Sequence, residues 1–161
     1  MSPQAFVGAL GTVFEHSPWI AERAWPRRPF QDVVALHAAM VDAVHSATLE
    51  ERIALLRAHP DLADKAVRAG ALTAASIAEQ SSAGLDRLSD FEYERFHRLN
   101  TAYRERFGFP FIVAVRGHDK TSILAAFETR LHRNRGEEID VALAQVADIA
   151  RFRLEALLGK A

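Results

Sequence analysis

The 161-residue chain contains no cysteine. That removes disulfides, thiolate zinc sites, iron–sulfur ligation and a thiol nucleophile together, so any chemistry rests on histidine, carboxylates, hydroxyls, arginine or lysine. The chain also lacks an excess of either charge. Twenty basic residues stand against 21 acidic ones, a formal net charge of -1, which gives no broad electrostatic footprint for nucleic acid or an anionic membrane. A small polar or anionic molecule is the partner this balance leaves open. Long apolar runs are missing because charge interrupts them every few residues, and no basic region followed by an apolar run opens the sequence. The expectation is a cytoplasmic protein with neither a membrane span nor a secretory signal. Glycine and proline are sparse, at 8 and 6 residues, which excludes collagenous, low-complexity and disordered classes.

What is present is a globular composition, 49% hydrophobic and 25% charged. The length suits one domain that buries roughly two thirds of the surface exposed on unfolding. Helical periodicity dominates. Ser2-Pro3 reads as a cap and first-turn proline ahead of Phe6, Leu10, Val13 and Phe14 on one stripe, and Ser17-Pro18 repeats the signal. Pro26 and Pro29 interrupt the second helix after Trp25, and a third spans about Gln31 to His45. Thr48 and Glu51 form a capping box ahead of Ile53, Leu55 and Leu56, and Pro60 ends that helix by pushing His59 out of the α region.

Asp61 can cap a helix stopping near Gly70, and Thr73 to Ala83 reads as another, closed by Gly84. Ser89 and Glu92 are a second capping box, opening a helix with Phe91, Phe96, Leu99 and Tyr103. Two more helices follow, near Lys120 to His132 and Glu137 to Leu158, joined by a polar loop over 133–138. Only Phe109-Pro110-Phe111-Ile112-Val113-Ala114-Val115 has strand-like content, and it has no partner strand. The fold expected is all-α: a single-domain bundle of about eight helices with one buried extended connector over 109–116, whose amides are available to a ligand.

Seven histidines invite a metal reading, yet there is no His-Glu-x-x-His and no tight His/Asp cluster. His37 and His45, for example, lie roughly 80° apart on a helical wheel. No glycine-rich phosphate loop or nucleophile elbow is present either. His59 stands apart because the turn before Pro60 fixes the direction of its imidazole, as an acid or base requires, although a histidine there is also a good helix C-cap. Ser76, Glu79 and Gln80 offer a hydroxyl, a carboxylate and an amide within five residues, enough to bind a urea-like edge. Against that, Ser76-x-x-Glu79 is itself a capping box, and spacing alone favours the cap.

The order of the motifs changes that weighting. His59-Pro60-Asp61-Leu62-Ala63, then Ser76-x-x-Glu79-Gln80-x-x-Ala83-Gly84-Leu85, Asn100-x-x-Tyr103, Phe107-Gly108-Phe109-Pro110-Phe111-Ile112, Arg130-Leu131 and Glu137/Glu138 closely resemble the OHCU decarboxylase family, over nearly the whole of 1–161. The resemblance implies an all-helical enzyme of ureide metabolism that acts after urate oxidation. It would decarboxylate 2-oxo-4-hydroxy-4-carboxy-5-ureidoimidazoline (OHCU) to (S)-allantoin with no metal or organic cofactor, as a homodimer. By motif position, His59 resembles the catalytic acid and Glu79 its partner. Pro60, Ser76, Ile77, Ala78, Glu79, Gln80, Phe111, Ile112, Val113, Ala114, Val115 and Arg116 correspond to substrate contacts. Arg116 reads equally well as a surface arginine. The ending Gly159-Lys160-Ala161 lacks a peroxisomal tripeptide, which suits a bacterial-type cytoplasmic enzyme. Two other classes compete: a helical small-molecule-binding module without turnover, which has no need of the titratable His59 and Glu79, and a metal-dependent ureide hydrolase, which needs ligand-spaced histidines the chain lacks.

Overall fold

The computed structural model describes residues 1–63 and 73–159. Among them are eight α-helices and no strand, as expected for an all-α chain. The chain forms two compact units, one of Met1–His59 with Val146–Ala161 and one of Pro60–Gln145. The expected helix from Asp61 to Gly70 falls largely outside the described residues, as do Lys160 and Ala161. No helix among those described is long and apolar enough to cross a membrane.

The first unit holds α1 (Pro3–Leu10), α2 (Trp19–Ala24), α3 (Val33–His45), α4 (Leu49–Arg57) and the C-terminal part of α8 (Arg135–Leu158). Local chemistry sets most of the boundaries. The Ser2 hydroxyl accepts the Ala5 N–H, and Pro3 stands in the first turn where its missing donor costs nothing. α1 stops at Leu10, so Val13 and Phe14, expected to continue its stripe, are buried in the irregular segment beyond. Ser17 does not cap α2: its hydroxyl donates to the Glu15 carbonyl at 2.9 Å, and Pro18 takes the cap position without a side-chain bond. α3 begins two residues later than the periodicity suggests because Asp32 accepts the Ala35 N–H. The Thr48–Glu51 capping box opens α4 with both reciprocal bonds formed.

The second unit contains α5 (Ala74–Ser82), α6 (Asp90–Phe107), α7 (Lys120–Leu131) and the first turns of α8. The Ser89–Glu92 box opens α6, and Gly108, at φ 83, turns the chain out of it in a left-handed conformation that suits glycine. Of the expected apolar stripe on α6, Phe96 and Tyr103 are buried, but Phe91 in the first turn is exposed. The polar loop expected over 133–138 is shorter than that, because Asn134 accepts the Glu137 N–H and thereby starts α8 at Arg135. The core of this unit is aromatic: Tyr103 packs against Phe107, Phe109 and Phe111, and Phe111 stacks on Phe127 with centroids 3.7 Å apart. The segment 109–115 runs through that core without helix or strand, every residue of it buried, and the chain surfaces at Arg116.

Candidate active site

His59 closes the first unit. Its backbone N–H donates to Leu56 and its Nδ1–H to the Leu55 carbonyl at 3.0 Å, so the ring caps the last turn of α4. A carbonyl only accepts, so Nδ1 carries the proton and the neutral ring presents a lone pair at Nε2, which has no partner among the described residues. Burial pushes the imidazole pKa down to about 4, against the raising effects of the Leu55 bond and the Glu15 carboxylate; the Arg153 and His16 charges push it lower still. The histidine C-cap that the sequence suggests is therefore a neutral one at physiological pH. The Leu55 carbonyl fixes its orientation.

The carboxylate that acts on His59 within this unit is Glu15, a residue that sequence reasoning passed over. Glu15 is buried in the irregular stretch between α1 and α2, where it pairs with Arg153 of α8 at 2.8 Å. Arg153 also donates to the Val13 carbonyl. The only local signal was an acidic side chain amid apolar Val13, Phe14, Pro18 and Trp19, whose partner lies at the other end of the chain.

In the second unit α5 carries Ser76, Glu79 and Gln80 at i, i+3 and i+4, which share one helix face. The cap of this helix is Thr73, whose hydroxyl accepts the Ser76 N–H, so Ser76 and Glu79 do not form the capping box that spacing alone favoured. Both sit inside the helix, Ser76 buried and Glu79 half-buried. Ile77 donates its N–H to the Thr73 carbonyl and is half-buried, and Ala78 faces solvent.

Gln80 is buried, and its Oε1 accepts the Ala63 N–H at 2.9 Å, in a turn where Ala63 has φ 54. That leaves its side-chain N–H₂ as two donors with no partner among the described residues. Asn100 reinforces the turn by donating to the Leu62 carbonyl, and Arg104 pairs with Asp61. Pro60 at the head of this turn is half-buried.

Along the connector, Phe111, Ile112, Val113, Ala114 and Val115 are buried and Arg116 is exposed. The Ile112 carbonyl accepts from Arg130 at 2.5 Å and the Ala114 N–H donates to Gln145 Oε1 at 2.9 Å. The N–H groups of Phe111, Ile112, Val113 and Val115 have no protein partner among the described residues, an unusual state for a buried backbone. Arg130 is itself buried and pairs with Glu138, which also accepts the Tyr103 hydroxyl at 2.6 Å. Burial, with the Glu138 bond next, pushes the Tyr103 phenol far above its usual range, so it stays a donor. Among the described residues no group of three or more His, Asp or Glu side chains is clustered as a metal site would be.

A model of the OHCU decarboxylase family matches residues 1–155. The 2-oxo-4-hydroxy-4-carboxy-5-ureidoimidazoline decarboxylase of Haloferax volcanii is 48% identical over 154 residues, covering 96% of this chain and 89% of that one. A crystal structure of (S)-allantoin synthase is similar at a TM-score of 0.77 with 34% identity, covering 98% of this chain and 51% of that chain. A second crystal structure, of OHCU decarboxylase in the presence of (S)-allantoin, matches at a TM-score of 0.74 over 99% of this chain and all of that one, at 17% identity, a likeness of fold.

Proposed function

We propose, because this chain belongs to the OHCU decarboxylase family, that it is a carboxy-lyase converting OHCU to (S)-allantoin in urate degradation. The observation that carries the reading is the buried His59, neutral and with Nε2 open, beside a motif order that matches the family from end to end.

The substrate's own structure makes the chemistry tractable. Its ring C=N lies next to the carbon that bears both the hydroxyl and the carboxylate. When CO₂ leaves, the C–C bonding pair forms a ring C=C bond and the C=N pair moves onto the ring nitrogen, which takes a proton from water. The enol that results loses its hydroxyl proton as the ureido-bearing carbon gains one, giving the carbonyl and the C–H of allantoin. No metal or organic cofactor is required, because the ring is its own electron sink.

The protein must orient the ring, favour the developing charge and move one proton on one face. Neutral His59 takes the hydroxyl proton at Nε2 and returns it to carbon. Gln80 donates through its N–H₂ to a substrate carbonyl, Ser76 and Glu79 hold the ureido side, and the amides from Phe111 to Val115 receive the ring. Pro60 keeps the His59 turn rigid. Arg116 meets the carboxylate only loosely, since a tight pair would stabilise the charge that must be lost. The enzyme is a cytoplasmic homodimer whose single catalytic domain spans 1–161, a reading supported by the family resemblance.

The test is direct. Urate oxidase and hydroxyisourate hydrolase generate the short-lived substrate in place, this protein is added, and circular dichroism follows allantoin. The expected result is an optically active product formed faster than the spontaneous reaction; a racemic product at the spontaneous rate overturns the reading.

A further inference from the structure

Arg130 and Gln145 grip two consecutive peptide planes of the connector from the same unit. Arg130 donates to the Ile112 carbonyl, and its guanidinium also lies 4.4 Å from the centre of the Phe111 ring, whose other face stacks on Phe127. Gln145 accepts the N–H of Ala114. The bond that carries the Ile112 carbonyl also carries the Val113 N–H, and the bond that carries the Ala114 N–H also carries the Val113 carbonyl. Peptide units are planar, and the only cis bond among the described residues is Arg28–Pro29, so both of these are trans. In a trans unit C=O and N–H point in opposite directions. Arg130 therefore aims the Val113 N–H away from itself, and Gln145 aims the Val113 carbonyl away from itself.

Both Val113 groups are without a partner among the described residues, although Val113 is only 7% exposed. Leaving a donor and an acceptor buried and unpaired is costly, and of the two side chains that hold them so Arg130 is firmly anchored elsewhere. Arg130 is fixed by Glu138 and by the Tyr103 hydroxyl at 3.5 Å.

We propose that Arg130 and Gln145 are positioning residues that hold the Val113 N–H and carbonyl as a paired donor and acceptor for an amide-like edge of the substrate. The inference rests on the decarboxylase reading and adds residues to it. An edge with an N–H beside a C=O, as in a ring lactam or a ureido group, is the chemical complement of such a pair. Gln145 is the more informative of the two, because it touches the connector through one hydrogen bond and is only half-buried, whereas truncating Arg130 strands the buried Glu138 carboxylate.

The experiment uses the whole protein with ¹⁵N label and (S)-allantoin as probe. Saturating probe is expected to shift the Val113 amide resonance and slow its hydrogen exchange. Gln145→Leu removes the acceptor, should bind the probe about tenfold more weakly and raise KM similarly, with kcat changed less than about threefold, the loss of one well-placed hydrogen bond. Gln145→Glu keeps an acceptor oxygen and is expected to restore most of the binding. A merely structural Gln145 would instead lower the melting temperature and leave Kd and KM alone. A wild-type enzyme that turns over substrate while the Val113 amide stays silent to the probe overturns the inference; absence of turnover in the wild type overturns the decarboxylase reading instead.

Discussion

At the scale of single residues the site is defined by what is neutral and what is charged. The depressed His59 pKa has a consequence for stability: the folded value, about 4, lies below the ordinary value of 6.5, so the unfolded chain binds the extra proton first. The neutral, buried ring supports the fold in full above about pH 6.5, and that support is lost as pH falls towards 4, by about 3 kcal/mol. The difference in unfolding free energy between the parent and His59→Asn, measured by denaturant titration at several pH values, should carry this slope; a pH-independent difference would mean the ring is not buried neutral.

Glu79 is the second residue of the proposed catalytic pair. Because Thr73 and not Ser76 caps α5, Glu79→Gln removes no capping interaction, and the turnover rate is the readout of its charge. The rate should fall at least tenfold, about 1.4 kcal/mol of barrier, if the carboxylate acts on the substrate. An unchanged rate would return Glu79 to a passive place on the helix.

Elements show where sequence could be read and where it could not. The boxes at Thr48–Glu51 and Ser89–Glu92 were legible because a cap is a local bond between side chain and backbone three residues apart. At α5 the same rule was satisfied twice, by Thr73-x-x-Ser76 and by Ser76-x-x-Glu79, and spacing alone favoured the wrong one. Thr73→Ala should cost about 1 kcal/mol, or roughly 2–4 °C in a chain of this size, in a thermal melt followed by far-ultraviolet circular dichroism. A Thr73→Ala variant that melts with the parent would contradict the assigned cap. The 109–115 segment shows the opposite case: its composition marked it as extended, but the bonds that fix its peptide planes come from Arg130 and Gln145, further along the chain, and no local pattern encodes them. Glu15 and Arg153 were invisible for the same reason. Such pairs exist only once the helices have packed.

For the molecule as a whole, a chain without cysteine leaves the proposed chemistry to histidine, carboxylate and amide groups and to the substrate's own ring. Exhaustive EDTA treatment is expected to leave turnover intact; loss of activity that a defined metal restores would refute cofactor independence. The central proposal is that this chain, a member of the OHCU decarboxylase family, decarboxylates OHCU with His59 as the proton-transfer group. The measurement that tests it most directly is the rate of optically active allantoin formation, by circular dichroism on substrate generated in place, for the parent and His59→Asn side by side at matched helical content. The account predicts a fall of 10² to 10⁴-fold, about 3–5 kcal/mol of barrier, in the variant; a variant within a few-fold of the parent would contradict it.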